Sequence, residues 1–300
     1  MIRPLSPEFK RNFIERYNRL TDWEVFKEYS LKPLRKSIRV NTLKVTVKEM
    51  KKRFGLEQIP WYKCGFFIKG FALGNTIEHQ LGYIYLQEAA SMIPPVVLDP
   101  RPKDKVLDMC ASPGSKTTQM AAMMKNKGII VANDNKIDRM KPLVMNLQRC
   151  GVINTLVTRM EGWWFNQTFD KILLDAPCSG IGAIRKSYKT IAMWNPNMVK
   201  KLSGLQKKLI LKAFDALNEK GILVYSTCTT EPEENEGVVD FLLRKKGNAT
   251  LQKIALPIKS SEPVNTFGKE KYSQEVKRCL RLWPQDNDTE GFFIAKIKKL

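Results

Sequence analysis

The sequence predicts an α/β protein built on a doubly wound, Rossmann-like parallel sheet. From about residue 86 onward, short apolar runs alternate with glycine-containing turns and helical segments, which is typical of this fold. The strands are predicted at residues 105–109, 128–132, 155–157, 171–175 and 221–226. Residues 279–283 and 291–297 flank a turn-rich segment and predict a terminal antiparallel hairpin. Residues 86–300 are therefore assigned to one catalytic domain.

A smaller basic region is predicted to precede this domain. Residues 1–85 carry 17 Lys and Arg against 8 Asp and Glu, a net charge of +9, and are rich in aromatic residues. Residues 37–43 alternate like a strand, and residues 45–54 have helical spacing. We interpret residues 1–85 as an accessory α/β binding region, the alternative being a packing extension of the main domain.

The charge of the whole chain points to a polyanionic partner. The 300 residues contain 51 Lys and Arg and 30 Asp and Glu, for a net charge of +21. Such an excess favours nucleic acid, with an acidic membrane surface as the alternative. The helix predicted at 197–217 adds five lysines, and the adjacent Trp163 and Trp164 offer rings for base stacking.

Cysteine and histidine usage argues against disulfides and metal sites. The six cysteines form no CxxC pair, and His79 is the single histidine. No signal peptide and no apolar run long enough to span a membrane occur in the sequence. These patterns predict a soluble cytoplasmic protein, a monomer, that binds neither metal nor membrane.

The first predicted strand is followed by a loop suited to a cofactor without phosphate groups. Pro113 and Gly114 supply a tight bend that opens into a helix. The loop lacks the glycine spacing of both the Walker A and the GxGxxG motifs, which disfavours a pyrophosphate. Asp134 follows the second strand, where this fold offers a carboxylate to ribose hydroxyls.

Two cysteines lie at the carboxyl ends of core strands. Cys178 follows the strand at 171–175, and Cys228 follows the strand at 221–226, so both are expected to open into one crevice. A Pro-Cys motif favours carbon chemistry over methylation of an exocyclic amine. Carbon 5 of cytosine becomes nucleophilic only after a thiolate adds to carbon 6, and two cysteines can divide addition and release.

Six motifs occur in order along the chain: IRVNT at 38–42, YLQEAAS at 85–91, DMCASPGSKT at 108–117, DAPCSG at 175–180, YSTCT at 225–229 with EENE at 233–236, and GFFIA at 291–295. On these motifs the sequence resembles, over nearly its whole length, the Nop/Sun family of RNA 5-methylcytosine methyltransferases. The resemblance implies an S-adenosylmethionine methyltransferase fold and an RNA substrate.

The resemblance also implies a role for each site residue. Cys228 is the attacking thiolate, Cys178 helps to release the product, and Asp175 contacts the Watson–Crick edge of cytosine, with Lys116 nearby. The residues implied to bind S-adenosylmethionine are Cys110, Ala111, Ser112, Pro113, Gly114, Ser115, Lys116, Asp134, Arg139, Glu161 and Asp175. Glu161 stands where the family pattern leads us to expect an aspartate near the adenine.

The substrate is expected to be RNA, with transfer RNA favoured over ribosomal RNA because the accessory region is short and no further domain is appended. Two alternative functions remain open. A catalytically silent RNA-binding assembly factor has no chemical need for both Cys178 and Cys228. A DNA cytosine methyltransferase is disfavoured by the second cysteine, Cys228, since in those enzymes the Pro-Cys residue attacks.

Overall fold

The structure, a computed structural model, describes residues 8–69 and 73–300. Residues 1–7 and 70–72, which belong to the predicted basic region, lie outside the described residues. The elements of the first part are α1 (Arg11–Tyr17), α2 (Trp23–Leu31), β1 (Ser37–Val40), α3 (Val47–Arg53), β2 (Leu56–Gln58), β3 (Gly65–Ile68), α4 (Ile77–Gln80) and β4 (Ile84–Leu86).

A four-stranded antiparallel sheet organises this part, in the order β2-β3-β1-β4. The strand predicted at 37–43 ends at Val40. It ends there because the Asn41 side chain donates hydrogen bonds to the carbonyls of Gly82 and Cys150, 2.9 and 2.8 Å away, which turns the chain. The helix predicted at 45–54 is α3, and a capping box between Thr46 and Glu49 fixes its start.

Most aromatic residues of the first two helices are buried, and Tyr29 is the partly exposed exception. Phe13, Tyr17 and Phe26 pack in one cluster with Trp194 and Trp283 of the main domain. These three rings are therefore not available to a nucleic acid, and they pack α1 and α2 against the following domain. Their burial follows because packing large rings together stabilises the interface between the helices and the main domain. The interpretation of residues 1–85 as a binding region stays a prediction.

The remaining elements are α5 (Ile93–Leu98), β5 (Lys105–Asp108), α6 (Ser115–Met123), β6 (Ile129–Asn133), α7 (Ile137–Cys150), β7 (Thr155–Thr158), β8 (Phe169–Asp175), α8 (Lys189–Met193), α9 (Pro196–Asp215), β9 (Leu217–Thr227), α10 (Glu236–Lys245), β10 (Ala249–Gln252), β11 (Thr266–Phe267), β12 (Glu270–Lys271), β13 (Leu280–Leu282), α11 (Pro284–Asn287) and β14 (Phe292–Lys299). β11 and β12 form a separate two-stranded ribbon.

The large sheet confirms the doubly wound prediction. Its order is β10-β14-β9-β8-β5-β6-β7, and the strands from β7 to β9 run parallel. The chain winds outward from β5 to β6 and β7, and then returns to build β8 and β9 on the other side. The order of strands therefore reverses between β5 and β8, and ligands in such sheets bind beside the carboxyl ends at that point.

The predicted terminal hairpin is present, and its strands form part of the large sheet. β13 pairs with β14 antiparallel, with Leu280 opposite Ile294. The opposite edge of β14 pairs with β9. β9 also starts earlier than predicted, at Leu217, because Lys220 adopts a positive φ of 62° and the register against β8 shifts there.

Two apolar layers cover the sheet. On one face, Leu107, Ile172 and Leu223 pack with residues of α9 and α10. On the other face, Val106 and Leu173 pack with residues of α5 and α6. This alternation follows from the two-residue period of strands buried on both sides. Within residues 8–69 and 73–300, no helix is long and apolar enough to cross a membrane.

Candidate functional site

The loop after β5 forms a tight backbone cradle at the carboxyl edge of the sheet. The Ala111 amide donates to the Asn133 carbonyl, and the Gly114 amide donates to the Ala111 carbonyl, both at 2.7 Å. Gly114 has a φ of 97°, and a Cβ there would lie 3.0 Å from the Leu143 side chain. A side chain is therefore disfavoured at this position both by conformation and by space. Helix α6 begins directly after Gly114 and directs its free amides into the crevice.

Asp134 stands at the end of β6 with an unsatisfied acceptor. Its carboxylate is buried; Oδ1 accepts the Lys136 amide at 3.1 Å, while Oδ2 has no hydrogen-bond partner in the described chain. The Arg139 guanidinium lies 3.5 Å from Oδ2 and donates to the Ser112 carbonyl at 2.8 Å. The structure thus brings Asp134, Arg139 and Ser112 together, and leaves a buried oxygen for a ligand.

Glu161 lies beside this group, on the loop after β7. The Asn135 side chain donates to its carboxylate at 3.2 Å. The loop is held because the Asn133 side chain donates to the Met160 carbonyl at 2.9 Å and accepts the Met160 amide at 2.9 Å. Glu161 and Asp134 therefore lie on the same side of the crevice.

Asp108 is a candidate that the sequence analysis included only as the first residue of the motif at 108–117. Its carboxylate is buried at the end of β5, Oδ2 accepts from the Thr117 hydroxyl at 2.7 Å, and Oδ1 has no partner among the described residues. Burial raises the pKa of Asp108 to about 7. The position of Asp108 at the end of strand β5 was the sequence signal that could have identified it as a site residue.

Asp175 and Lys116 form an ion pair in the centre of the crevice. Lys116 Nζ lies 2.6 Å from Asp175 Oδ2, and the Ser226 hydroxyl donates to Oδ1 at 2.7 Å. The Lys116 ammonium also lies 5.6 Å from the centre of the Phe292 ring. Each carboxylate oxygen thus has one donor, which fixes its orientation beside the thiols described next.

Cys178 and Cys228 lie side by side, with 3.4 Å between their sulfur atoms. Their loops are joined by a hydrogen bond between the Ser179 and Thr229 hydroxyls at 2.7 Å. The contact with Cys228, followed by burial, raises the pKa of Cys178 well above its usual value. The two thiols therefore lie in direct contact, and Cys178 is the one whose ionisation this contact opposes.

The remaining cysteines are poorly suited to nucleophilic chemistry. Burial raises the pKa of Cys64, Cys110, Cys150 and Cys279. A thiolate is the reactive form, so these four thiols stay unreactive. Within the described ranges, no group of three or more His, Cys, Asp or Glu side chains is placed to hold a metal ion.

Glu234 fixes the turn that carries Cys178, a role that sequence reasoning missed. Its Oε2 accepts the Ser179 amide at 3.0 Å and the Gln206 side-chain amide at 2.8 Å. Gln206 also donates to the Pro177 carbonyl at 2.9 Å. Burial raises the pKa of Glu234 to about 7. The EENE motif contained this residue, but its contacts depend on residues 28 and 55 positions away.

A buried ion pair braces the loop that carries Cys228. Arg281 donates to both carboxylate oxygens of Glu236, at 2.8 and 2.6 Å, and a third nitrogen–oxygen contact of 3.0 Å reaches the Thr230 carbonyl. Both side chains are at most 1% exposed. The terminal hairpin therefore holds the catalytic loop through charge-assisted hydrogen bonds.

Comparisons with known proteins match this architecture along almost the whole chain. The family model described as 16S rRNA methyltransferase RsmB/F matches residues 95–298, and the N-terminal domain of 16S rRNA methyltransferase RsmF matches residues 9–89. The tRNA (cytosine(49)-C(5))-methyltransferase of Pyrococcus abyssi is 53% identical over 97% of this chain and 98% of its own length. Ribosomal RNA small subunit methyltransferase F of Aliivibrio salmonicida is 45% identical over 89% of this chain, which spans 58% of that protein.

Two solved structures from Pyrococcus horikoshii share the fold. A methyltransferase homolog protein has a TM-score of 0.84 and 37% identity, covering 97% of this chain and all of its own. NSun6, solved with SFG, has a TM-score of 0.85 and 24% identity, covering 98% of this chain and 99% of its own. The second similarity supports the fold alone.

Proposed function

The chain belongs to the RsmB/F family of methyltransferases, and on this premise we propose that it transfers a methyl group from S-adenosylmethionine to carbon 5 of a cytosine in RNA. The observation that carries the proposal is the pair of sulfur atoms 3.4 Å apart beside the Asp175–Lys116 ion pair. Transfer RNA is the proposed substrate, since the relative that acts on it matches this chain end to end, whereas the ribosomal RNA enzyme is much longer.

The residues around the first loop suit S-adenosylmethionine. The unsatisfied Oδ2 of Asp134 is positioned to accept a ribose hydroxyl, with Arg139 holding the carboxylate in place. Glu161 is proposed to lie near the adenine. The backbone from Cys110 to Lys116, which includes Ala111, Pro113 and Ser115, is proposed to surround the methionine part of the cofactor. When bound, the cofactor supplies an electrophilic methyl group attached to sulfur.

The first step is proposed to be addition of the Cys228 thiolate to carbon 6 of cytosine. The new sulfur–carbon bond moves the electrons of the 5,6 double bond to carbon 5, which then becomes nucleophilic. Asp175 is proposed to hold the Watson–Crick edge, and Lys116 keeps this carboxylate oriented through its 2.6 Å contact. Carbon 5 acquires its methyl group in this activated state.

Release requires a base that takes the proton from carbon 5. Contact with Cys228 is the largest cause of the raised pKa of Cys178. Once the Cys228 sulfur is bound to carbon 6, it carries no charge and this cause is removed. Cys178 is then proposed to lose its proton to solvent, accept the proton from carbon 5, and so allow the Cys228–carbon bond to break, returning the thiolate.

The decisive experiment is methyl incorporation by the purified chain. Unfractionated transfer RNA, ribosomal RNA and DNA of matched sequence are incubated with labelled S-adenosylmethionine, and the product is located by bisulfite sequencing. We expect 5-methylcytosine in transfer RNA. Labelling of ribosomal RNA alone would support the longer relatives' substrate, and binding of RNA without any incorporation would support a silent assembly factor.

Asp134 gives a direct test of the cofactor site. We expect Asp134→Ala to weaken S-adenosylmethionine binding by about 10- to 100-fold, because a charge-assisted hydrogen bond of about 1.5–3 kcal/mol is lost. Titration calorimetry measures this affinity, and RNA affinity should stay the same. Asp138→Ala is the matched control, since Asp138 is an exposed carboxylate in the next helix. Equal cofactor affinity in both variants would refute the assignment.

The basic surface gives a second test. Lys10 of the N-terminal region donates to the carbonyls of Ala192 and Trp194, just before α9, so this region adjoins the lysine-rich helix. We propose that region 1–85 and α9 form one RNA-binding surface. If about three phosphates are neutralised, RNA affinity should fall about 20-fold between about 50 and 200 mM salt. Fluorescence anisotropy measures it, and a constant affinity would exclude phosphate contacts.

We likewise propose a monomer located in the cytoplasm, without a metal ion or a membrane partner. Sedimentation with and without transfer RNA tests the oligomeric state. A dimer that forms only with RNA would contradict a monomeric enzyme–substrate complex.

A further inference from the structure

A groove lined by lysines and one tryptophan lies outside the catalytic crevice. It has a volume of about 820 Å³ and runs between Trp163, on the turn after β7, and the exposed face of α9. Its lysines are Lys200, Lys201, Lys208 and Lys212. From Lys200 to Lys212 the helix extends about 18 Å, at about 1.5 Å per residue. The groove is therefore longer than a single nucleotide.

The charge of the groove is not neutralised within the described part of the chain. None of these four lysines forms an ion pair there. The single acid of the lining, Asp215, is paired with Lys246 at 2.5 Å. A row of free ammonium groups along one helix face fits the phosphates of a nucleic-acid backbone.

Trp163 lies beside this row of lysines because the turn that carries it packs closely against α9. Gly162 is buried against α9, and a Cβ on it would lie 2.6 Å from the Leu209 side chain. The turn can therefore approach the helix closely, which leaves Trp163 40% exposed in the groove. Trp164 is 61% exposed but does not line the groove.

A glycine in the middle of α9 keeps the groove open. Gly204 lies in a 20-residue helix, where glycine is the least favourable residue after proline. A Cβ at Gly204 would meet no atom within 4 Å, so packing does not require glycine there. The missing side chain leaves the groove floor free opposite Trp163.

Both walls of the groove belong to segments that contact the elements of the candidate site. Trp163 follows Glu161 by two residues, and the Glu161 carboxylate accepts from Asn135, next to Asp134. On the helix side, Gln206 contacts the Pro177 carbonyl of the turn that carries Cys178. The segments that form the groove are therefore also in contact with the segments that carry Asp134 and Cys178.

We propose that this groove binds a single-stranded segment of the substrate RNA, with one unpaired base stacked on Trp163 and the adjacent phosphates on the α9 lysines. The proposal rests on the proposed RNA substrate and adds a second binding site to it. A duplex fits less well, because its bases are already stacked on each other and offer no face to a tryptophan.

The test measures binding of unfractionated transfer RNA by fluorescence anisotropy, which does not depend on methyl transfer. Trp163→Ala should weaken binding about 10-fold, since base–aromatic stacking contributes on this scale. Trp164→Ala is the matched control and should leave affinity unchanged. Gly204→Gln should fill the groove and weaken binding while raising helix propensity, so a loss of folding cannot explain its effect.

Each outcome bears on a different statement. Equal affinities for the Trp163→Ala and Trp164→Ala variants, together with an unaffected Gly204→Gln variant, would overturn the groove. If the wild-type chain methylates no RNA but the three variants behave as expected, the proposed reaction fails and the groove stands. A single-stranded oligonucleotide should compete with transfer RNA at this site, and competition by a duplex alone would contradict the proposal.

Discussion

Removal of either catalytic thiol should stop turnover, but at opposite ends of the reaction. Cys228→Ala should bind RNA and cofactor, form no covalent complex, and lower product formation by about 10⁴-fold or more, as expected when a nucleophile is removed. Cys178→Ala should still form the bond to carbon 6 and accept the methyl group, but it should release the product slowly. Incubation with labelled RNA, followed by denaturing electrophoresis, distinguishes the two variants.

The shifted band is the discriminating observation. It should appear with Cys178→Ala in the presence of cofactor and should be absent from Cys228→Ala and from the double variant. Cys279→Ala is the control, because that thiol is buried away from the site in the apolar cluster of α9 and α10. A band that appears with Cys228→Ala and not with Cys178→Ala would reverse the two roles, and the mechanism of DNA cytosine methyltransferases would then describe the enzyme better.

The contact between the two thiols explains why removing one should have a different effect from removing the other. They lie 3.4 Å apart, and contact with Cys228 raises the pKa of Cys178. At this distance the S–H group of Cys178 can donate a hydrogen bond to the Cys228 sulfur. A Cys178→Ala variant loses this donor, so its rate of adduct formation should also fall. The adduct should nevertheless accumulate, because release is slowed more.

Breaking the buried ion pair behind Cys228 should produce the largest loss of stability. Glu236→Ala leaves the Arg281 guanidinium buried without its anionic partner, and arginine cannot escape this cost by losing its proton. Uncompensated buried charges of this kind cost about 3–5 kcal/mol. The free energy of unfolding, measured by denaturant titration, should fall by this amount.

Two further variants separate lost charge from lost volume. Glu15→Ala removes one partner of the exposed Arg11–Glu15 pair and should leave the unfolding midpoint unchanged. Glu236→Leu combined with Arg281→Met removes both charges and should recover most of the stability lost in Glu236→Ala. A double variant as unstable as the single one would show that the hydrogen bond to Thr230 matters more than the charge pairing.

Sequence periodicity was enough to predict the strands of the large sheet and the edge of the sheet at which the candidate residues lie. Periodicity placed β5, β6, β8 and β9, and parallel strands bring their carboxyl ends to one edge. Residues that directly follow those strands were therefore expected to lie close together, as Cys178 and Cys228 do. The same rule explains why Asp134 lies near the loop that contains Gly114, because both follow neighbouring strands.

Contacts between distant segments hold these residues in place and set which surfaces are free, and sequence patterns do not report such contacts. Glu234 and Arg281 reach partners dozens of residues away, and such contacts leave no local period in the sequence. By composition, the aromatic residues of α1 and α2 that lie in this interface could not be told from exposed ones, yet the contact with the main domain buries them. Trp163 stays exposed because Gly162 allows its turn to pack closely against α9. Burial depends on packing between distant segments, whereas local periodicity reports only which face of one segment is apolar.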